Sequence, residues 1–239
     1  MDDIGASTKR YEVYSKFFLG NILFLKYYPP FQAWGPYQEI SVQKWKKVFE
    51  ILCKYNAKLT IGVTASWVEK DGSLTPFPDK FPEQSELLRS ASEQGIVEIA
   101  NHGLTHCVVG RHLPRRFSSN RQFHREFWDW IPRETHFKHM QKSQEIFQDW
   151  LGYRATTLIP PGNVFSVDTL EAASSFGIDL INSYINLPVE NDNVKIVNDS
   201  NIDAFHDREV ELYGVEWLEH KIKSYSNREF GLLREIQGR

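Results

Sequence analysis

The sequence predicts an α/β fold built on a parallel sheet or barrel. Short β-rich runs alternate with helix-length amphipathic segments along the chain, which is the pattern of successive βα units. The polar clusters with the most chemical potential fall just after the β-rich runs, and parallel α/β folds place their active sites at those strand ends. With 239 residues the chain is long enough to bury a sizeable core. No internal repeat or linker divides it, so one domain over 1–239 is expected.

The elements are expected in this order. Asp2 and Asp3, followed by Gly5, suit a strand-end loop, although no strand precedes them. Residues 9–19 read as a helix and 27–36 as a Pro- and aromatic-rich loop. Ser41 can cap a helix running to about Tyr55, with Trp45, Val48, Phe49 and Leu52 on one face. Run 58–64 reads as a strand, 69–82 as a loop, and 83–94 as a helix closed by Gly95. The apolar run 96–100 is the next strand and ends in Asn101-His102-Gly103. Residues 107–133 read as a long irregular insertion over the barrel mouth. A helix over 134–150 stops at Gly152, and strand 155–159 feeds Pro160-Pro161-Gly162-Asn163. Ser166 caps a helix that Gly177 ends. Run 179–183 is a strand, 186–200 a polar loop, 202–205 a last strand ending at His206-Asp207, and 215–225 a final helix.

Composition narrows the function. A net charge of −3 gives no reason to expect nucleic acid as a partner. The local cluster Arg111, Arg115, Arg116, Arg121 and Arg125 reads as a solvated loop. Cys53 and Cys107 could form one bridge, but two cysteines make no disulfide scaffold, and reduced thiols in a cytoplasmic protein are the simpler reading. No apolar run approaches the roughly 18 residues of a membrane span. The apolar stretch 17–25 is too short and poorly flanked for a signal peptide. Aromatic residues make up 14 % of the chain, but such rings fill cores more often than they line sugar sites, so they do not choose between the two.

His102 and His106 lie four residues apart. On one helical turn they would share a face and could hold one metal ion, neutral imidazole being the commonest ligand for zinc and its neighbours. Two partly exposed loop histidines would give the same spacing. Taken singly, Asp2-Asp3 could be a solvated terminus, His206-Asp207 a surface turn, and 160–163 a turn and no more. His136 and His139 read as surface residues of a helix. Joint placement of the four clusters at strand ends, on one side of the fold, favours a site.

The order of these clusters resembles the polysaccharide deacetylase family, also called the NodB-homology or carbohydrate esterase 4 domain, over nearly the whole chain. The resemblance implies a distorted (β/α) barrel, here lacking its first strand. It implies a hydrolase that uses a divalent metal, with zinc the first expectation, to remove N-acetyl groups from a sugar or glycan. It puts the general base on Asp2, the metal ligands on Asp3, His102 and His106, substrate contacts on Pro161, Gly162 and Asn163, and the general acid on His206. Three features depart from the family pattern. The hydrophobic strand before Asp2-Asp3 is missing, which raises the expectation that the native start lies upstream. Leu158 and Ile159 stand where an arginine usually precedes the proline. Ile181-Asn182-Ser183 occupies the region of the Asp-Trp pair that often tunes the late histidine. The missing arginine keeps two alternatives open: a metal-dependent hydrolase of another small amide or a cyclic imide, and an inactive glycan-binding relative.

Overall fold

The structure is a computed structural model that describes residues 1–15, 23–114, 120–185, 193–225 and 228–238. Parts of the expected helix over 9–19, of the apolar stretch 17–25 and of the loop over 186–200 lie outside the described residues, as do Arg115 and Arg116.

A 3-10 turn, Ser7–Arg10, leads into β1 (Tyr14–Ser15), which pairs antiparallel with β2 (Gln32–Trp34). This replaces the first part of the helix expected over 9–19. Tyr14 stacks on Trp34 with ring centroids 5.7 Å apart, so tertiary pairing overrides the local tendency. Helix α1 (Val42–Lys54) forms as expected: Ser41 Oγ accepts from Lys44 N, and Trp45, Val48 and Leu52 are buried at helical spacing. β3 (Leu59–Val63) follows, buried throughout. The region expected as a loop over 69–82 instead holds half of a hairpin, β4 (Ser66–Val68) with β5 (Leu74–Pro76), and the short α2 (Phe77–Lys80). The turn is Asp71-Gly72, with Gly72 at φ 87 and Asp71 Oδ1 accepting from Ser73 N, a hairpin signal that the surrounding Pro and Gly residues mask.

The remaining elements alternate: α3 (Pro82–Glu93), β6 (Val97–Asn101), α4 (Arg133–Leu151), β7 (Thr157–Leu158), α5 (Val167–Ser175), β8 (Leu180–Asn182), β9 (Lys195–Val197), α6 (Asp207–Tyr213) and α7 (Val215–Lys223). The central sheet runs β3-β6-β7-β8-β9, every pair parallel. This is the α/β architecture expected. One core cluster packs α1, α3 and α7 against β3 and β6, and a second packs α4 and α5 against β7 and β8. Glu98 lies buried within β6, where its carboxylate accepts from Thr60 Oγ1 and Thr157 Oγ1 and from the Arg234 N–H. A buried carboxylate so fully bonded is tolerated. Cys53 and Cys107 are both free. Among the described residues no helix is long and apolar enough to cross a membrane.

No named strand precedes Asp2, yet the edge of β3 is not bare. Residues 1–4 run beside it: Gly62 N donates to Met1 O and Thr64 N to Ile4 O, each at 2.8 Å. On the other side Asp2 N donates to Phe205 O at 3.2 Å and Asp207 N to Asp2 O at 3.1 Å. The strand expected over 202–205 is not formed. Only isolated parallel bridges remain, Asp2↔His206 and Ile4↔Val63, because contact with so short a segment cannot sustain a ladder. The carboxylate segment is thus threaded between β3 and the stretch that delivers His206. Gly62 permits the fit, since a Cβ there would meet Asp2 Cβ at 3.3 Å and His102 Cβ at 3.4 Å.

Candidate metal centre

Asp3, His102 and His106 converge at the carboxyl ends of the sheet. Asp3 Oδ1 lies 3.3 Å from His102 Nε2 and 3.0 Å from His106 Nε2, and all three residues are buried. Asp2, Asp3 and His206 form a second group that shares Asp3 with the first, and in each group the ligand atoms lie within 4.8 Å of one another.

Each imidazole is aimed by its other nitrogen. His102 Nδ1 donates to Ile159 O at 2.6 Å, leaving the Nε2 lone pair directed toward Asp3. His106 Nδ1 is 3.1 Å from Thr8 Oγ1. Metal-ligating histidines are held in this way, by a carbonyl or other polar group on the nitrogen away from the ion.

The two histidines do not sit on a helical turn, as their spacing suggested. The backbone groups that a helix would pair with one another are bonded elsewhere: Ala65 N donates to Gly103 O, Ser66 N to Leu104 O and Val108 N to Phe123 O, while side chains take the first N–H groups. Asn101 Oδ1 accepts from Gly103 N, and the Glu126 carboxylate accepts from Leu104 N, Thr105 N and Thr105 Oγ1. The loop that results needs left-handed backbone at Gly103 (φ 82) and His106 (φ 59). Glu126 fills the space above Gly103, where a Cβ would lie 1.7 Å from its Oε1. Among the described residues four non-glycines have positive φ, and three of them, Asp3, His106 and Asn163, belong to the expected site. Such backbone costs about 1–3 kcal/mol per residue and gathers where function fixes geometry.

Burial works against the Asp3 charge, but the His102 and His106 rings facing it hold its carboxyl well below the ordinary range. For His102, burial is likewise outweighed by Asp3 and the nearby Asp2, which raise its affinity for a positive charge. His106 Nε2 is buried without a well-aligned hydrogen bond despite its proximity to Asp3. One carboxylate oxygen and two imidazole nitrogens around a common point, one of them orphaned, fit a divalent cation and leave coordination positions open.

Asp2 Oδ1 is also buried and unpartnered, 3.8 Å from His206 Nε2. The His206 side chain is 39 % exposed, so this is the side from which the site opens. Pro161 packs against the histidine loop, its Cγ 3.4 Å from where a Gly103 Cβ would lie. Gly162 lies under the Arg125 guanidinium, and Asn163 accepts from Ser183 Oγ and from Tyr184 N. The structure therefore brings together Asp2, Asp3, His102, His106 and His206, with Pro161 beside them and Gly162 and Asn163 extending the same turn.

His136 is not a surface residue. It is buried between α4 and α5, where its Nδ1 lies 2.9 Å from Thr169 Oγ1. His139 is half-buried and pairs with Glu126 at 3.1 Å. Sequence reasoning also missed Thr8, Glu126 and Lys9. Lys9 is buried and contacts Asp207 at 2.5 Å and Glu39 at 2.9 Å. Glu39 in turn accepts from Gly5 N, and Tyr37 Oη lies 3.4 Å from Asp3 Oδ2. This cluster anchors the Asp2-Asp3 segment from the side opposite β3. The Asp207 and Glu39 carboxylates hold Lys9 charged against the cost of burial.

No curated protein matches the chain. Among solved structures it is similar to a de-N-acetylase from Aggregatibacter actinomycetemcomitans (16 % identity, TM-score 0.40, 58 % of each chain covered). It is similar as well to a CE4 family pseudoenzyme from Bacillus anthracis (15 % identity, TM-score 0.49, 85 % of this chain and 61 % of that one). A third is a family 4 acetyl xylan esterase from Clostridium thermocellum in complex with a cobalt ion (14 % identity, TM-score 0.47, 84 % and 87 %). The chain spans 58 % of the length of the de-N-acetylase. The sequence profile of polysaccharide deacetylases matches residues 35–181, more than half of the chain. With that match, and with the expected clusters meeting at one end of a parallel sheet, the chain belongs to the polysaccharide deacetylase family.

Proposed function

We propose that the chain is a single-domain, metal-dependent hydrolase that removes N-acetyl groups from a sugar or glycan. The observation that carries this reading is the meeting of Asp3, His102 and His106 with Asp2 and His206 in a member of the polysaccharide deacetylase family. Asp3, His102 and His106 would hold a divalent cation, zinc being well suited to this donor set, and the cation would supply Lewis acidity to the acetyl carbonyl and acidify a water molecule. Asp2 accepts that water's proton through its buried, unpartnered Oδ1. The proton that Asp2 has taken passes to the leaving nitrogen, which His206 holds by a hydrogen bond from the exposed side, as the amide C–N bond breaks and acetate departs. Pro161, Gly162 and Asn163 wall the groove beside the histidine loop.

The test is release of acetate from N-acetylglucosamine oligomers after zinc or cobalt is added to chelator-stripped protein. Metal-dependent acetate release is the expected result. Metal uptake without acetate release would overturn the substrate assignment, and opening of a cyclic imide in its place would install the alternative.

A further inference from the structure

We propose that Arg208 is a positioning residue that fixes the tautomer of His206, keeping the ring hydrogen on Nε2, the nitrogen that faces Asp2. The inference rests on the assignment of His206 to the site. Arg208 Nη2 lies 2.9 Å from His206 Nδ1. A guanidinium carries only donors, so Nδ1 must be the acceptor, and the hydrogen of the neutral ring sits on Nε2. Nε2 looks toward Asp2 Oδ1, 3.8 Å away.

The acid nearest Nδ1 is not available to reverse this. Glu209 Oε2 is 3.8 Å from Nδ1 and accepts instead from the His206 backbone N–H at 2.9 Å. Its other oxygen, Oε1, takes Arg208 Nε at 3.1 Å. A carboxylate bonded to Nδ1–H would impose the opposite tautomer and leave Nε2 as an acceptor.

Arg208 is itself fixed. Its guanidinium lies 4.4 Å from the Trp34 ring centroid, Trp34 stacks on Tyr14 with planes 10° apart, and the Arg121 guanidinium lies 5.4 Å from the Tyr14 ring. Four planar groups in series, plus the Glu209 contact, leave the guanidinium little freedom. These rings therefore serve to seat an arginine. The functional consequence is directional. The neutral ring can give a hydrogen bond through Nε2 to the leaving nitrogen or to the developing oxyanion, but it neither surrenders that proton nor offers a lone pair there to take one. Asp2 is then the group left to accept the proton of the attacking water.

The test uses the full chain with 15N-labelled histidine and long-range 1H–15N correlation at about pH 8.5, well above the ordinary imidazole pKa of about 6.5. The His206 signals are identified by their loss in His206→Gln. The Nε2–H pattern is expected in the unmodified protein. Arg208→Met should move His206 to a mixture of tautomers and lower kcat roughly 10- to 100-fold, as loss of an orienting partner does at metal ligands, with KM changed by less than about threefold. Trp34→Leu, which removes the stacking and leaves the arginine, should give an intermediate spectrum and supplies the test if Arg208→Met does not fold. An Nδ1–H pattern in the unmodified protein, or an unchanged pattern in a folded Arg208→Met, overturns the proposal. The spectrum needs no turnover, so an inactive protein with the Nε2–H pattern would defeat the deacetylase reading and leave this one standing.

Discussion

At the scale of single residues, the site depends on which nitrogen each histidine turns toward Asp3. Thr8 Oγ1 and Ile159 O occupy the two Nδ1 atoms and leave both Nε2 atoms for a cation. Thr8→Ala should weaken metal affinity by about 10- to 100-fold without unfolding the protein, as loss of such partners does elsewhere; a chelator competition titration measures it. His206→Ala should keep the metal and lose about 10²- to 10³-fold in turnover, the usual worth of one hydrogen-bond donor to charge that develops in the transition state, followed as acetate release; near-normal release would remove His206 from this role. The meeting of Asp3, His102 and His106 was anticipated through the resemblance to deacetylases, since the residues alone left Asp3 in a solvated terminus and the two histidines in a loop as open readings. Their partners were not. A backbone carbonyl carries no sequence signal, and Thr8 reaches His106 only because the fold brings residues 98 positions apart into contact.

At the scale of elements, the histidine loop hangs on Glu126, which arrives from the irregular stretch before α4 and bonds the loop's first N–H groups, while Ala65 N and Ser66 N donate to the loop's carbonyls. The spacing of His102 and His106 suggested a helix because nothing local announces that Ala65, Ser66 and Phe123 will take the backbone partners a helix needs. Burial disfavours the Glu126 charge, but His139 and Thr105 more than offset it, so the folded protein holds this carboxyl below its ordinary value of 4.5. The unfolded chain therefore binds this proton more readily, and the stabilisation is complete above about pH 4.5 and lost as pH falls further. A melting curve should show that share of the acid loss disappearing in Glu126→Gln, along with stability at neutral pH. An unchanged acid limb in the variant would deny Glu126 this role. Elements whose signals are local, such as α1 with its Ser41 cap and α5 with its Ser166 cap, stood close to where they were expected. The β4–β5 hairpin and β9 were too short and too polar in context to stand out.

At the scale of the whole molecule, the alternation of strand and helix was enough to give the parallel α/β architecture. It could not give the way residues 1–4 are held. That depends on Lys9, a residue type that normally reads as surface, buried between Asp207 of α6 and Glu39. Lys9→Met would leave those two carboxylates buried without their cation. Breaking such a pair costs about 3–5 kcal/mol, enough to lower the melting temperature by roughly 10 °C in a chain of this size, and it should weaken metal binding because the Asp3 segment loses its anchor. A variant that melts and binds metal normally would show that β3 alone holds the segment.

The central claim is that Asp3, His102 and His106 hold one functional cation. Elemental analysis after chelation, reloading with zinc and exhaustive dialysis tests it most directly. The account predicts about one equivalent per chain in the unmodified protein and in His206→Ala, at ligand distances of roughly 2.0–2.2 Å, and little or none in Asp3→Asn or His102→Ala. Stoichiometric zinc in His102→Ala would contradict it.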